Sequence, residues 1–428
     1  MIAGRYDVVV AGGGLAGIAA ARSAAAGGAE TLLVEREPNL GGNVTQAWVH
    51  TICGLHHADR PTPEYLNEGF PRQFAERLLA SGGARPVERV GRVFVLPIYP
   101  EAVADYCAAL CAEGHAVLVR TGTAIVSAQL DRAPRAAARL VLDSGEGPVE
   151  VEAKAIIDAT GDGAVAALLG ADLLPNGPDP LQSCSLIFRL SGVADGAVRG
   201  FESLRVSAAV AGAVLSGGLP PGCDSVLVRP GRAKGTAYVT LNLAPLGGRE
   251  HRPLDAEYMS ELMEVGRERA RLVLAYLRCR RAEFAEAVLE GWPERVGVRE
   301  TRRIAGDYVV SEEDVLTGAR RDDDVALSSW PIEFWSDYRR ARFVYPSGAC
   351  GIPLGALRSR SHAELGMAGR CVSGSRPALG SLRVLGAALA MGEAIGNAAA
   401  FAVANSMSLR DVTGQIVREI GRRDGRHE

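Results

Sequence analysis

The sequence predicts an α/β fold: a mostly parallel sheet covered by helices, with a second lobe inserted into it. Three observations carry this. An apolar run from Tyr6 to Ala11 ends in Gly12-Gly13-Gly14 and opens onto an alanine-rich stretch, Leu15 to Ala26, that Gly27-Gly28 stops, which is the pattern of strand, tight turn and helix. Thr31 to Val34 is a second apolar run, short and nearly unbroken, as expected of a parallel strand covered on both faces. Between about 175 and 340 the texture changes to strand-like runs and one long helical stretch, which reads as a separate α+β lobe.

Further elements follow in order. Helix patterns fall around 62–81 and 100–113, and strand-like runs at 116–130, 138–143 and 149–158. The last of these runs into Thr160-Gly161-Asp162-Gly163. The middle lobe carries strand-like Ser185 to Leu190 and Ala237 to Leu243 and a helix over about 254–289. The expected organisation is therefore 1–174 for the first part of a nucleotide-binding domain, 175–342 for a substrate or cap lobe, and 343–428 for the domain's return. The charged tail from Arg418 is expected to fray.

Composition narrows the partners. Of 428 residues 47% are hydrophobic and 23% charged, and the net charge is −3. A balanced chain of this kind has no general attraction for nucleic acid or acidic membrane surfaces. Val384 to Val403 is the most membrane-like stretch, but it contains Glu393 and Asn397 and is rich in Ala and Gly. It reads as a buried helix, because a charge at a bilayer centre costs about 2.5–3.5 kcal/mol. The strand-like run that begins at Tyr6 leaves no room for a secretory leader. The eight cysteines show no metal-ligand spacing and no Cys-x-x-Cys pair, so reduced thiols in a cytoplasmic protein and no metal site are expected. Abundant Ala, Gly and Arg suggest a GC-rich bacterial source, associated with specialised metabolism.

The chemistry begins at Gly12-Gly13-Gly14-Leu15-Ala16-Gly17, a G-x-G-x-x-G. Gly12 permits the turn, Gly14 lets the backbone approach a pyrophosphate, and Gly17 lets helix and strand pack closely. The first helical turn, with Leu15 and Ala16, offers bare N–H groups and a positive dipole end to the anion. Glu35, eighteen residues past Gly17 at the end of the second strand, can accept ribose hydroxyls. A Rossmann-like dinucleotide site follows, and the first ninety residues leave FAD and NAD both open.

Further stretches favour FAD. Glu35-Arg36-Glu37-Pro38-Asn39-Leu40-Gly41-Gly42 is similar to the flavoprotein pattern in which the acid is followed by a Gly-Gly loop, and Ile156-Ile157-Asp158-Ala159-Thr160-Gly161-Asp162 resembles the A-T-G-D element of glutathione-reductase-like flavoproteins. With Gly297 to Tyr308, Gly369 to Ser373 and Ala378 to Val384, the chain resembles the FAD-dependent oxidoreductases of glutathione-reductase type, whose flavin domain has three-layer ββα character. The resemblance implies an extended FAD. Gly12, Gly14 and Gly17, with Leu15 and Ala16, would hold the pyrophosphate. Glu35 and Arg36 would hold the adenosine end, and the backbone around Ala124 would meet the adenine. Gly41, Gly42, Asn43 and Thr45 would lie near the isoalloxazine or ribityl chain, and Ala159, Thr160, Gly161 and Asp162 near the sugar and phosphates. Ser381 to Val384, including Arg383, would face the flavin N1–C2=O edge, where a cation stabilises the reduced ring. One departure stands out: related reductases often have Gly-Asp where this chain has Gly369-Arg370.

Candidates for catalysis are His50, with His56 and His57, as a base; Glu333, between Trp330 and Trp335, as a proton acceptor; and Arg299 and Arg383 as anion-binding groups. Arg299 and Arg302 would share a face if the segment were helical. The middle lobe shows no second G-x-G-x-x-G in strand–helix context, so a dedicated NAD(P)H domain is not expected. The leading reading is a dehydrogenase or oxidase in which a small organic substrate reduces FAD and electrons leave to oxygen or a carrier. The alternatives are a flavin-dependent monooxygenase and an RNA-binding, tRNA-modifying flavoprotein, for which Arg339, Arg340, Arg342, Arg358 and Arg360 are the encouragement. Assembly into a homo-oligomer stays open.

Overall fold

The computed structural model describes residues 2–115, 117–130, 138–248 and 250–424. Ala116, at the head of the expected 116–130 run, and the tail beyond 424 lie outside them. The main sheet runs in the order Leu118–Arg120, Thr31–Val34, Ile2–Ala11, Pro148–Asp158, Ala138–Asp143, Ala124–Leu130, and Leu365–Met367 lies parallel to the end of Pro148–Asp158. Its centre is parallel, with Val8 opposite Thr31 on one side and Ala155 on the other. The last three strands on the path form an antiparallel meander.

Period-two alternation sorts the faces. Val8 and Val10 point into a core shared with the helices Leu15–Ala26 and Leu385–Ala404. Val9 and Ala11 point the other way, into a core with Leu140, Leu142 and Met367. The two helices meet backbone to backbone: a Cβ on Gly392 would lie 2.1 Å from the Ala16 carbonyl oxygen, and one on Gly396 2.3 Å from that of Ala20. Leu385–Ala404 is long and apolar enough to cross a membrane by length and composition, yet 78% of its most apolar window is buried inside the fold.

The middle lobe has its own core, running from Cys184 to Val296. It holds a four-stranded antiparallel sheet, in the order Val226–Pro230, Ala237–Asn242, Ser185–Ser191, Val288–Gly291, packed with the helices Gly200–Leu215 and Ala256–Arg280. The second of these answers the long helical stretch; the first falls where the sequence shows scattered glycines. Gly212 sits on that helix's exposed face, where lacking a side chain costs only intrinsic propensity. Val310, Val315, Ala326, Trp330 and Ile332 join the core of the nucleotide-binding side, although the sequence reading put them in the middle lobe. Of the tail from Arg418 expected to fray, residues 418–424 lie in the helix Gly414–Asp424, anchored by buried Val417 and by Arg418, whose Nη1 donates to the Asp324 carbonyl at 2.7 Å; residues 425–428 lie outside the described residues.

Candidate dinucleotide and active site

A cleft of about 690 Å³ opens at the carboxyl ends of the central strands, between the sheet and the middle-lobe helix Ala256–Arg280. That edge of an open α/β sheet is where ligands are expected. Gly12 turns there with φ +98°, and its N–H donates to the Val34 carbonyl at 2.7 Å. Gly14 borders open cleft, and a Cβ on it would meet only Gly42 Cα at 3.8 Å. Gly17 faces inward instead: a Cβ there would sit 1.8 Å from the Gly12 carbonyl oxygen. Of the three glycines, Gly17 therefore shapes the turn without lining the cleft.

The helix Leu15–Ala26 begins with no side-chain cap and no acid in its first turn, and its first backbone bond is Ile18 N–H to Gly14 C=O. The amides before Ile18 point out of the helix end, beside Leu15 and Ala16 on the cleft wall. Glu35 lies across from them. Its carboxylate accepts from Gly13 N at 2.6 Å and Glu37 N at 2.9 Å, and each oxygen keeps a lone pair for a further donor. Arg36, Gly41, Gly42, Asn43, Ala124, Ala159, Thr160, Gly161, Asp162 and Arg383 line the same cleft. Buried Asp158 holds the 160–166 turn by accepting from the Thr160 hydroxyl and the Ala166 amide.

Besides Gly17, five expected site residues lie elsewhere, each for a visible reason. The Thr45 hydroxyl turns back to the Leu40 carbonyl at 2.9 Å and braces the loop from behind. The Ser381 hydroxyl is fully buried and donates to the Trp330 carbonyl at 2.6 Å. His50 is stacked on Tyr238 with ring centroids 4.8 Å apart, and burial depresses its pKa to about 4. Arg299 is already engaged: it donates to the Ser183 carbonyl and to Asn242 Oδ1 and lies 4.7 Å from the Trp335 ring centre. Burial, and then the Arg383 charge, lower its pKa to about 10. No helix forms around Arg299 and Arg302; the chain is extended there and pairs Arg303–Ile304 with Leu173–Leu174. Glu333 accepts from both indoles, Trp330 Nε1 at 3.1 Å and Trp335 Nε1 at 2.7 Å, and is not among the cleft residues.

Other cleft residues went unassigned in the sequence. Gln46, Arg295 and Arg370 are among them, and Met259, Met263 and Arg267 come from one face of Ala256–Arg280. The long helix was legible, but which of its faces met the cleft was not, because that depends on how the lobe docks. Among the described residues, no group of three or more His, Cys, Asp or Glu side chains could hold a metal ion.

Turn, bare helix end and acid together define a Rossmann-like dinucleotide-binding protein. The model of the FAD dependent oxidoreductase family matches residues 7–420; the chain belongs to that family, and FAD is its cofactor. Among solved structures, a geranylgeranyl bacteriochlorophyll reductase-like protein from Thermoplasma acidophilum aligns with TM-score 0.52 and 14% identity, covering 98% of this chain and 82% of that one. A p-nitrophenol 4-monooxygenase from Pseudomonas putida DLL-E4 gives TM-score 0.49 and 12% identity over 99% and 84% of the two chains. An anhydrotetracycline hydroxylase from Streptomyces rimosus gives 0.45 and 16% over 98% and 66%. The first of these is a likeness of fold alone. No curated protein matches the chain.

The residues present fit FAD. The cradle at Gly14, which a side chain would fill, and the bare amides after it suit a diphosphate. At the other end, the Arg383 Nε–H is buried with no acceptor among the described residues, which leaves a donor for a flavin oxygen or ring nitrogen.

Proposed function

We propose that the protein is a dehydrogenase or oxidase that takes electrons from a small organic substrate, with the flavin laid out as in glutathione-reductase-type proteins. The observation that carries this reading is one continuous cleft. It runs from the bare amino end of Leu15–Ala26 to Leu385, at the start of Leu385–Ala404, and to the adjacent Arg383. Bound FAD supplies a two-electron acceptor. The protein's part is binding, orientation and charge. The first-turn amides hold the diphosphate, Glu35 accepts from the ribose, and Asn43 is steadied by its Nδ2–H bond to the Val298 carbonyl at 3.4 Å. Arg383 and the neighbouring helix end hold positive potential where negative charge develops. Met259, Met263 and Val298 give the middle-lobe side of the cleft an apolar strip that suits an apolar substrate. Oxygen or a carrier then takes the electrons.

Anaerobic titration of the yellow holoprotein with candidate substrates tests the proposal. Bleaching by substrate alone, in the absence of a nicotinamide, is expected. Bleaching by NAD(P)H only, followed by oxygen uptake coupled to substrate hydroxylation, would overturn it in favour of a monooxygenase.

A further inference from the structure

The Gly369-Arg370 step is where the chain departs from related reductases, and the structure gives that departure a use. Gly369 has φ +80°, and a Cβ on it would stand 3.1 Å from the Ala16 Cβ, so the backbone here runs against the first turn of Leu15–Ala26. The Arg370 side chain lies over Gly161: a Cβ on Gly161 would come within 3.0 Å of Arg370 Nη2. Nη2 donates to Asp162 Oδ1 at 2.7 Å and Nη1 to Thr301 Oγ1 at 3.1 Å. Those bonds fix the guanidinium and use two of its five donors. Arg370 and Asp162 both line the cleft, and each side chain is only about 15% exposed, 14% and 15%. Asp162 Oδ2 is also 3.7 Å from Arg36 Nη2. Asp162 thus lies between two guanidinium groups, Arg370 and Arg36, and Arg36 also faces Glu37 at 3.3 Å.

We propose that Arg370 is a phosphate-binding residue of the FAD site, held in place by Asp162 and Thr301. The proposal rests on FAD occupying this cleft. An ionised carboxylate can only accept hydrogen bonds and suits sugar hydroxyls, whereas a guanidinium can only donate and suits phosphate oxygens.

The test is equilibrium binding to the flavin-free full-length protein, read by flavin fluorescence for FAD and by competition for ADP, which carries the diphosphate without the flavin. Wild type must first bind FAD; failure there sinks the cofactor assignment itself and not the role of Arg370 alone. R370M should weaken both FAD and ADP by about tenfold or more, the scale of one charge-assisted hydrogen bond, and R370K should recover part of the loss. The double variant D162N/R370M strands no carboxylate and should bind both ligands as weakly as R370M. Recovery of wild-type affinity in the double variant would show a merely structural ion pair and overturn the proposal. So would an R370M that weakens FAD but leaves ADP unchanged.

Discussion

Arg383 meets Glu333 through the backbone and not through its carboxylate: Nη2 donates to the Glu333 carbonyl oxygen at 3.2 Å, while the carboxylate oxygens are taken by Trp330 and Trp335. The pair thus places a guanidinium on the cleft wall and ties it to a tryptophan clamp behind. Glu333→Gln leaves one acceptor oxygen for two indole donors, so one indole loses its partner at a cost of about 1–3 kcal/mol. The expected result is a lower melting temperature and shifted tryptophan emission, with the rate of flavin reduction by substrate little changed. A large fall in that rate, with loss of an acid limb in its pH profile, would instead make Glu333 the base.

Gly14 and Gly17 separate a ligand role from a folding role. Gly17→Ala drives a methyl group into the Gly12 carbonyl and should give protein that is colourless and melts early. Gly14→Ala has room within the chain. Its flavin-free form should melt close to wild type while its FAD affinity drops, as measured by thermal denaturation beside fluorescence titration.

Three buried histidines make the fold sensitive to acid. His50, His56 and His251 all have pKa values lowered to about 4, first of all by burial. His251 has both ring nitrogens in hydrogen bonds, to the Leu243 carbonyl and the Tyr258 hydroxyl. With the folded pKa below the unfolded value, the unfolded chain takes protons first. Stability is complete above about pH 6.5 and falls from there to about pH 4, by up to about 1.4 kcal/mol per pH unit for each histidine. Urea midpoints at pH 7 and pH 5 should show the decline. His50→Phe keeps an aromatic ring against Tyr238 and should flatten the slope by one histidine's share.

Arg376 and Glu300 form a buried bidentate pair, 2.6 and 3.0 Å, and Arg376 also donates to the carbonyls of Asn176, Asp179 and Pro180. Arg376→Met strands a fully buried carboxylate and should cost about 3–5 kcal/mol. Adding Glu300→Gln should return part of it. Chemical denaturation of the single and double variants measures both.

The glycine turn and Glu35 were legible because their chemistry is set by residues a few positions apart, where spacing alone fixes geometry. The same holds for Leu15–Ala26 and Thr31–Val34, whose bounds the apolar pattern gave directly. Thr45 and Ser381 misled because a residue can sit on the right loop and still turn its hydroxyl away from the ligand. Arg299 misled for a longer-range reason: Ser183 and Asn242, which occupy it, are 116 and 57 residues distant. The contribution of Ala256–Arg280 was hidden in the same way. The oddity at Arg370 was visible in the sequence, but its bond to Asp162 became apparent only once the guanidinium was seen lying over Gly161.

The close seating of Gly392 and Gly396 on Ala16 and Ala20 has a consequence for how the protein is made. The nucleotide turn near the start of the chain is braced by a helix that leaves the ribosome some 370 residues later. A nascent chain halted before Leu385 would expose the alanine face of Leu15–Ala26 to solvent and to other chains. Flavin capture should therefore wait until Leu385–Ala404 has been made, and fragments lacking that helix should aggregate and fail to take up the cofactor.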